Sequence, residues 1–392
     1  MIEEEIFSQW EINDDDVISF CQSSIISPEE VIYRIERIAE YVIDQIKSIP
    51  PPDDVEIRLN VRSSPSNSQV DPILGVFVQY DTPSKKIYSL VKNPHQFAVF
   101  FRVLSIVHGS LKRGEIITKR SIFYQDTSLF GNQNIVNTTI EDIACCLEIP
   151  RTSLNVVACQ KGLVAGPLQW QSSNGVVTDC SNNVEMIPSL VDSIVAQKTR
   201  AVAILVIEKE TVFQRLVQSS IVNEAILVTA KGIPDYSTRL FLKLLEDSFE
   251  IPIVGLFDAD PYGAFIFFIY RFGSRSSAYD GMNMTVSSMK WLGIRPKEFI
   301  RLGLSNANQN FDMNSNLNLS LNLGGKCMEL TKNDHKLLDK MIEERNIPDI
   351  YRDELVVMKE RNKKCEIEVL LDSNHTLTDL YLPQKFAEQD WI

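Results

Sequence analysis

Ala201-Val-Ala-Ile-Leu-Val-Ile-Glu-Lys209 and Ile251-Pro-Ile-Val-Gly-Leu-Phe-Asp-Ala-Asp260 are apolar runs that stop abruptly on carboxylates. Val, Ile and Leu in unbroken succession suit a parallel strand covered on both faces, because neither side-chain direction then meets water. Helical spacing separates the runs. Residues 198 to 275 therefore read as strand 201–208, helix 210–220, strand 225–230, helix 237–249, strand 251–258 and helix 262–272, the order of a doubly wound α/β sheet. Ligands of such sheets gather at the C-terminal edge of the strands, so Glu208, Asp258 and Asp260 are expected to converge there. Acidic residues also follow strands simply because turns and helix N-termini favour them. Two acidic strand ends in one sheet tip the reading toward a site, and hard oxygens of this kind suit Mg2+, which takes one or two carboxylates plus waters and phosphate oxygens.

Around this sheet the chain has ordinary globular proportions. It has 392 residues, 44% hydrophobic and 23% charged, enough for two or three domains. The greasiest run, Ala264 to Tyr270, falls far short of the ~20 residues that span a bilayer, and Met1-Ile-Glu-Glu-Glu5 lacks the basic start of a secretory signal. Seven scattered cysteines give neither a disulfide framework nor zinc spacing, pointing to a reducing cytosolic or nuclear setting with Cys145 and Cys146 in the core. The net charge of −13 argues at first against nucleic acid. Residues 1–60, however, hold 15 acidic against 4 basic residues, a net of −11, which leaves only −2 for the other 332. A nearly neutral body can carry a basic face, with Lys112, Arg113, Lys119 and Arg120 as the candidate.

Ser27-Pro28-Glu29-Glu30 is a helix start, with a capping Ser and Pro at the first helical position, and Pro50-Pro-Pro52 ends that helix. Arg62 to Gln69 reads as a polar loop. Helices follow over 96–111, from Thr118 to Tyr124 and over 134–147, then a strand over 153–158, a succession that resembles a winged helix-turn-helix. Asn306 to Asn322 is Asn-rich and ends at Gly324-Gly325, a surface insertion, and the final 65 residues return to helical patterns.

Lys119-Arg-Ser-Ile-Phe-Tyr124 in isolation reads as a helix with a packing tyrosine. Its place in a DNA-docking unit that is followed by an acidic sheet gives it another meaning. Thr118-Lys-Arg-Ser-Ile-Phe-Tyr124, Leu154-Asn-Val-Val157, Lys161-Gly-Leu-Val164, Val206-Ile-Glu-Lys-Glu-Thr-Val-Phe-Gln-Arg215 and Lys231-Gly-Ile-Pro-Asp-Tyr-Ser-Thr-Arg239 succeed one another. Asp258-Ala-Asp-Pro-Tyr-Gly263, Tyr270-Arg-Phe-Gly-Ser274, Lys290-Trp-Leu-Gly293, Cys365-Glu-Ile-Glu368 and Tyr381-Leu-Pro-Gln-Lys385 continue the series. In these motifs, from residue 96 onward, the chain resembles the A subunits of type IIB DNA topoisomerases and their eukaryotic meiotic double-strand-break relatives. Residues 1–95 and the Asn-rich insertion share no such likeness.

The resemblance implies an α+β protein: a divergent acidic region over 1–95 with one amphipathic helix, a winged-helix (CAP-like) DNA-binding domain over 96–190, and a Toprim-type doubly wound α/β domain over 198–392 with a C-terminal helical extension and the insertion 306–325. The family pattern has two adjacent tyrosines, the second being the nucleophile. Phe123 replaces the first here, leaving Tyr124, and Ser121 stands where an acidic residue is common. A phenol with pKa ~10 is almost wholly protonated at neutral pH, so attack on a phosphodiester needs nearby positive charge. Arg120 lies one helical turn before Tyr124, and the resemblance gives it that role. It also gives Glu208, Asp258 and Asp260 to Mg2+, with Glu208 as a further acid or base, and it suggests phosphate contacts for Lys119, Lys161, Lys209, Lys231 and Arg239. Two strand breaks need two tyrosines, so a homodimer on double-stranded DNA is expected, and the resemblance implies that each tyrosine works with the metal site of the opposite subunit. No Gly-x-x-x-x-Gly-Lys-Ser/Thr loop is present, so an ATPase, if used, must come from another polypeptide; the resemblance implies a B-type (GHKL ATPase-like) subunit and meiotic accessory proteins as partners, on nuclear chromosomes. The readings that compete are the A subunit of an ATP-dependent topoisomerase that reseals its breaks, a metal-dependent nuclease or primase using the carboxylates alone, and a DNA-binding scaffold without activity. The Lys161-Gly-Leu-Val and Asp258-Ala-Asp-Pro-Tyr-Gly forms favour the meiotic branch.

Overall fold

Parallel pairing follows directly from the apolar runs. In the computed structural model, which describes all residues except 1–16, 21–25, 51, 61–67, 72, 74, 80–84, 159, 300–326, 345 and 372–375, four parallel strands stand in the order Ala225–Thr229, Ala203–Ile207, Ile253–Leu256 and Lys290–Gly293. Ile204 faces Ile226 on one side and Ile253 on the other. All five residues of Ala203–Ile207 are buried. Their alternation feeds two cores, Ile204 and Val206 packing with Phe241, Leu245 and Phe267 on one face, and Leu205 and Ile207 with Phe213, Leu216 and Leu370 on the other. Both faces are covered, which is why no polar alternation marks the sequence.

Two antiparallel strands, Leu163–Ala165 and Glu185–Met186, extend the sheet beyond Ala225–Thr229. Both lie inside the span 96–190 expected to form a separate DNA-binding domain, so the sheet begins before the anticipated border near 198. Such short runs carry no period by which a sequence could assign them. Lys290–Gly293, quoted above only as a motif, is the fourth parallel strand.

Most of the chain up to residue 157 builds its own core, although Val17–Phe20 pairs with Ile194–Thr199 and Phe77 packs on the core of the parallel sheet. Helices Pro28–Lys47, Pro94–Lys112, Lys119–Gln125 and Gln133–Leu147 bury Val31, Ile35, Phe100, Val103, Ile122, Ile140 and Ile143 together. Ser27 Oγ accepts from Glu30 N (3.3 Å), the expected cap. The helix of the acidic region thus packs with the three that follow it, and its Tyr33, Tyr41, Ile43 and Ile46 stay exposed. The strand expected over 153–158 shrinks to Val156–Val157, parallel to Ile117–Thr118. Arg151–Leu154 is instead a 3-10 turn, which Asn155 ends at a left-handed φ of 52°. Most of the polar loop 62–69 and the whole Asn-rich insertion lie outside the described residues, although Ser68 starts a strand, Ser68–Val70.

Helices Lys332–Ile342 and Asp349–Arg361 cover Pro261–Phe272, where Tyr351 meets the rings of Phe267, Phe268 and Phe272. Among the described residues no helix is long and apolar enough to cross a membrane.

Candidate active site

Parallel register decides where the carboxylates arrive. Ile207 lies opposite Leu256, so Glu208 and Asp258 leave the sheet at the same edge. Glu208 N donates to Leu256 O (3.1 Å), and Glu208 Oε2 accepts from Asp258 N (2.8 Å). Asp258 Oδ1 accepts from Ile367 N (2.8 Å), while Oδ2 lies 3.0 Å from Lys209 Nζ. Asp260 caps the helix Pro261–Phe272 by accepting at Oδ1 from Gly263 N (2.6 Å). A Cβ on Gly263 would fall 2.3 Å from Asp258 O, so the close approach of helix to strand end requires glycine there.

Burial pushes the Glu208 carboxyl up to about 8, helped by the charges of Asp258 and Asp260. Burial likewise raises Asp258 to about 6 against the pull of Lys209, and raises Asp260. Carboxylates that repel one another where water is scarce favour a cation. Among the described residues no three acidic, His or Cys side chains close into a ready cage, because backbone amides and Lys209 engage the oxygens named above. Mg2+ needs only one or two protein carboxylates and keeps its waters, so the donor set fits it.

One part of the site, Cys365-Glu-Ile-Glu368, was quoted in the sequence only as a motif, with no role in the site. Cys365 bridges Ala259 in antiparallel fashion, drawing residues 365–368 over the sheet edge. Glu366 and Glu368 then reach Lys209 Nζ at 3.2 and 2.5 Å. The Glu-Ile-Glu spacing, with Ile367 fully buried between two acids, was the available signal.

Tyr124 is placed by a capping box: Thr118 Oγ1 accepts from Ser121 N (2.9 Å) and Ser121 Oγ from Thr118 N (3.0 Å). Ser121 thus performs with a hydroxyl what a carboxylate would perform there. Ile122 is fully buried and Phe123 partly so, which turns Arg120 and Tyr124 outward on one face. Tyr124 is 70% exposed, and Arg120 makes no ion pair among the described residues.

The five suggested phosphate contacts fare differently. Arg239 is buried, its Nε donating to Met284 O (3.1 Å) and Nη1 to Ser277 Oγ (3.3 Å), and burial lowers its pKa to about 10. It is not a surface contact. Chain from 274 to 285 folds over it, a cover that the polar stretch Ser237-Thr-Arg239 gave no sign of. Lys119 lies 3.0 Å from Glu141, Lys231 2.9 Å from Glu210, and Lys209 is held by the carboxylates above. Lys161 Nζ donates to Ile233 O (3.0 Å). In the anticipated basic patch, Lys112 pairs with Glu36 (3.0 Å) and Arg113 with Glu115 (2.8 Å).

Comparison with known proteins agrees with this geometry. Residues 203–386 match a family model described as the Toprim domain of the topoisomerase 6 A-subunit/Spo11 type, and residues 95–156 one described as type IIB DNA topoisomerase. Meiotic recombination protein SPO11 of Mus musculus is 34% identical over 377 residues, 94% of this chain and 90% of that protein. Its counterpart in Homo sapiens is 31% identical over 380 residues, 94% and 90% of the two chains. The A subunit of DNA topoisomerase 6 from Arabidopsis thaliana is 32% identical over 367 residues, 91% of this chain and 81% of that one. With such likeness along nearly its whole length, which takes in most of residues 1–95 although these were expected to share none, and with both family models falling on the tyrosine helix and the acidic sheet, the chain belongs to the topoisomerase 6 A-subunit/Spo11 family.

Proposed function

We propose that this chain is a tyrosine transesterase that makes meiotic DNA double-strand breaks and stays linked to the 5′ ends through Tyr124. The observation that carries the reading is the outward placement of Tyr124 beside Arg120 on a capped helix, in a chain that also gathers Glu208, Asp258 and Asp260 at one sheet edge. The Tyr124 oxygen bonds to phosphorus and the bond from phosphorus to the 3′ oxygen breaks. The phenolic proton passes to solvent, and the departing 3′ oxygen takes one up. Arg120 favours phenolate and offsets charge on the five-coordinate phosphorus. Glu208, Asp258 and Asp260 would hold Mg2+, which when bound neutralises phosphate charge and orients the leaving oxygen. Phosphoester bond count is conserved, so the step needs no energy source.

The unit 94–157, with helices Pro94–Lys112, Lys119–Gln125 and Gln133–Leu147 and the paired strands Ile117–Thr118 and Val156–Val157, is the winged-helix domain in this reading. Two copies act on one duplex, each tyrosine with the opposite copy's carboxylates, assisted by a B-type subunit with accessory proteins on nuclear chromosomes. The test is Tyr124→Phe in the assembled complex on supercoiled DNA. Breaks and protein-linked ends are expected to vanish together; continued cutting with free ends would mean hydrolysis by the carboxylates alone and would sink the proposal. Efficient ATP-dependent relaxation by the wild type with an ATPase subunit would place it among the resealing topoisomerases instead.

A further inference from the structure

Glu141, on the helix Gln133–Leu147, joins the tyrosine helix to the domain that bears the carboxylates. Its Oε1 lies 3.0 Å from Nζ of Lys119, the first residue of the tyrosine helix, and accepts from Arg151 Nη1 (2.8 Å). Its Oε2 accepts from the hydroxyl of Tyr279, in the turn Arg275–Asp280 that follows the helix Pro261–Phe272. The Arg151 guanidinium stacks 3.6 Å over the ring of Tyr236, the first residue of the helix Tyr236–Ser248, and the Tyr236 hydroxyl donates to Asp280. Gln133 Nε2 adds a tie to Lys119 O (3.0 Å). The group is shut away from water: the Lys119 and Glu141 side chains are 16% and 17% exposed, and Arg151 and Asp280 are buried.

A single carboxylate thus holds two cations of the tyrosine domain and a hydroxyl of the other domain at once. Removing its charge takes from Lys119 and Arg151 the carboxylate they share and weakens the tie to Tyr279, which loosens the start of the tyrosine helix against the other domain. We propose that Glu141 is a positioning residue for DNA cleavage: it fixes the orientation of the Tyr124 helix relative to the carboxylate-bearing domain. It touches neither DNA nor metal. The inference rests on the reading of Tyr124 as nucleophile, and a displacement of about 1 Å at a reacting group is enough to cost roughly 100-fold in rate.

The experiment compares wild type, Glu141→Gln, Glu141→Asp, Tyr279→Phe and Tyr124→Phe, each as full chain in its complex on supercoiled DNA. It reads DNA affinity separately from the rate of protein–DNA adduct formation at saturating DNA, per folded molecule. Glu141→Gln is expected to lose at least about tenfold in rate, by the same sensitivity to misplacement, with affinity essentially kept. Glu141→Asp should recover part of that loss. Tyr279→Phe keeps every charge and removes only the bond between domains, so it provides the reading even if the Gln variant does not fold, and should slow adduct formation with faster hydrogen exchange in residues 119–125. Unchanged or increased rates in the folded variants, or a rate loss matched by an equal loss of affinity, overturn the proposal. Adducts formed by Tyr124→Phe would overturn the nucleophile reading instead, an outcome separate from any result at Glu141.

Discussion

Replacing Gly263 with Ala tests how tightly the carboxylate edge is built. The added methyl would sit 2.3 Å from Asp258 O and 3.0 Å from Asp258 C and N, where ordinary contact begins at 3.4 Å. The obstructing atoms are backbone, so no side chain can swing aside; helix and strand end must part by about 1 Å. Overpacking of this kind costs about 1–3 kcal/mol, and alanine returns up to about 1 kcal/mol of helix propensity. With that return made in full the net loss is at most about 2 kcal/mol, which should lower the melting temperature by only a few degrees, roughly 2–4 °C per kcal/mol at most in a chain of this size. The site should suffer far more, because the same shift moves Asp258 away from Asp260, and misplacement by about 1 Å costs roughly 100-fold. Thermal melting followed by circular dichroism gives the first quantity, and adduct formation across a Mg2+ titration the second. A Gly263→Ala protein that melts and forms adducts like the wild type would refute the close-approach argument. A rate loss no larger than the lost folded fraction would refute its catalytic half.

Thr118→Ala removes the hydroxyl that accepts from Ser121 N and should cost about 1 kcal/mol, with faster hydrogen exchange confined to the tyrosine helix; uniform exchange across the domain would contradict a local cap. Lys385 is 1% exposed and bonds Glu298 and Asp390, so Lys385→Met should shift the urea midpoint by an amount worth about 3 kcal/mol, the low end for a broken buried pair, since Arg295 still serves both acids; a shift under about 1 kcal/mol, the range of exposed pairs, would show the network to be solvated. Burial pushes the Glu141 carboxyl up, but the charges of Arg151 and Lys119 and the Tyr279 bond outweigh it and leave it at about 2 instead of 4.5. The folded value lies below the unfolded one, so its contribution of about 3 kcal/mol is whole above pH 4.5 and fades as pH falls toward 2. The stability gap between wild type and Glu141→Gln should therefore narrow by up to about 1.4 kcal/mol per pH unit below that point, and a gap constant from about pH 5 to 3.5 would show that Glu141 already titrates normally when folded.

How much of this was legible in the sequence depends on whether the deciding contacts were local. The runs 201–209 and 251–260 announced their strands because burial on both faces leaves an unmistakable composition. Register then followed, and with it the shared edge of Glu208 and Asp258. Arg120 and Tyr124 fell on one face because four residues make one turn. Leu163–Ala165 was missed because three residues carry no period, and it depends on Ala225–Thr229 for its place. The surroundings of the basic residues were hidden for a related reason. A lysine looks the same in sequence whether its partner is water, phosphate or a carboxylate, and Glu141, Glu210 and Glu368 lie 22, 21 and 159 residues away from Lys119, Lys231 and Lys209.

That pairing changes what the net charge means for DNA. Of the four cations grouped before Tyr124, Lys112 is taken by Glu36, Arg113 by Glu115 and Lys119 by Glu141, and Glu36 also receives His108 Nε2 at 2.9 Å. The acidic excess of residues 1–60 is thus partly spent on the surface that adjoins the nucleophile. Arg120, exposed and without an ion pair among the described residues, is the cation of that patch which the proposed function sets against phosphate. Affinity for DNA grows with the number of phosphates neutralised, so a face that keeps one cation out of ion pairs among its described residues would contribute little binding energy and, in the proposed function, would act chiefly at a single phosphate. Strong engagement of a duplex must then come from elsewhere: a second copy, whose symmetric face doubles the contacts, or partner subunits that bring their own cations. Such a division suits a chain whose chemistry is a double-strand break. Under the proposed function an isolated copy is expected to grip DNA poorly, and two tyrosines to reach the duplex together when the assembly supplies the hold that each copy lacks.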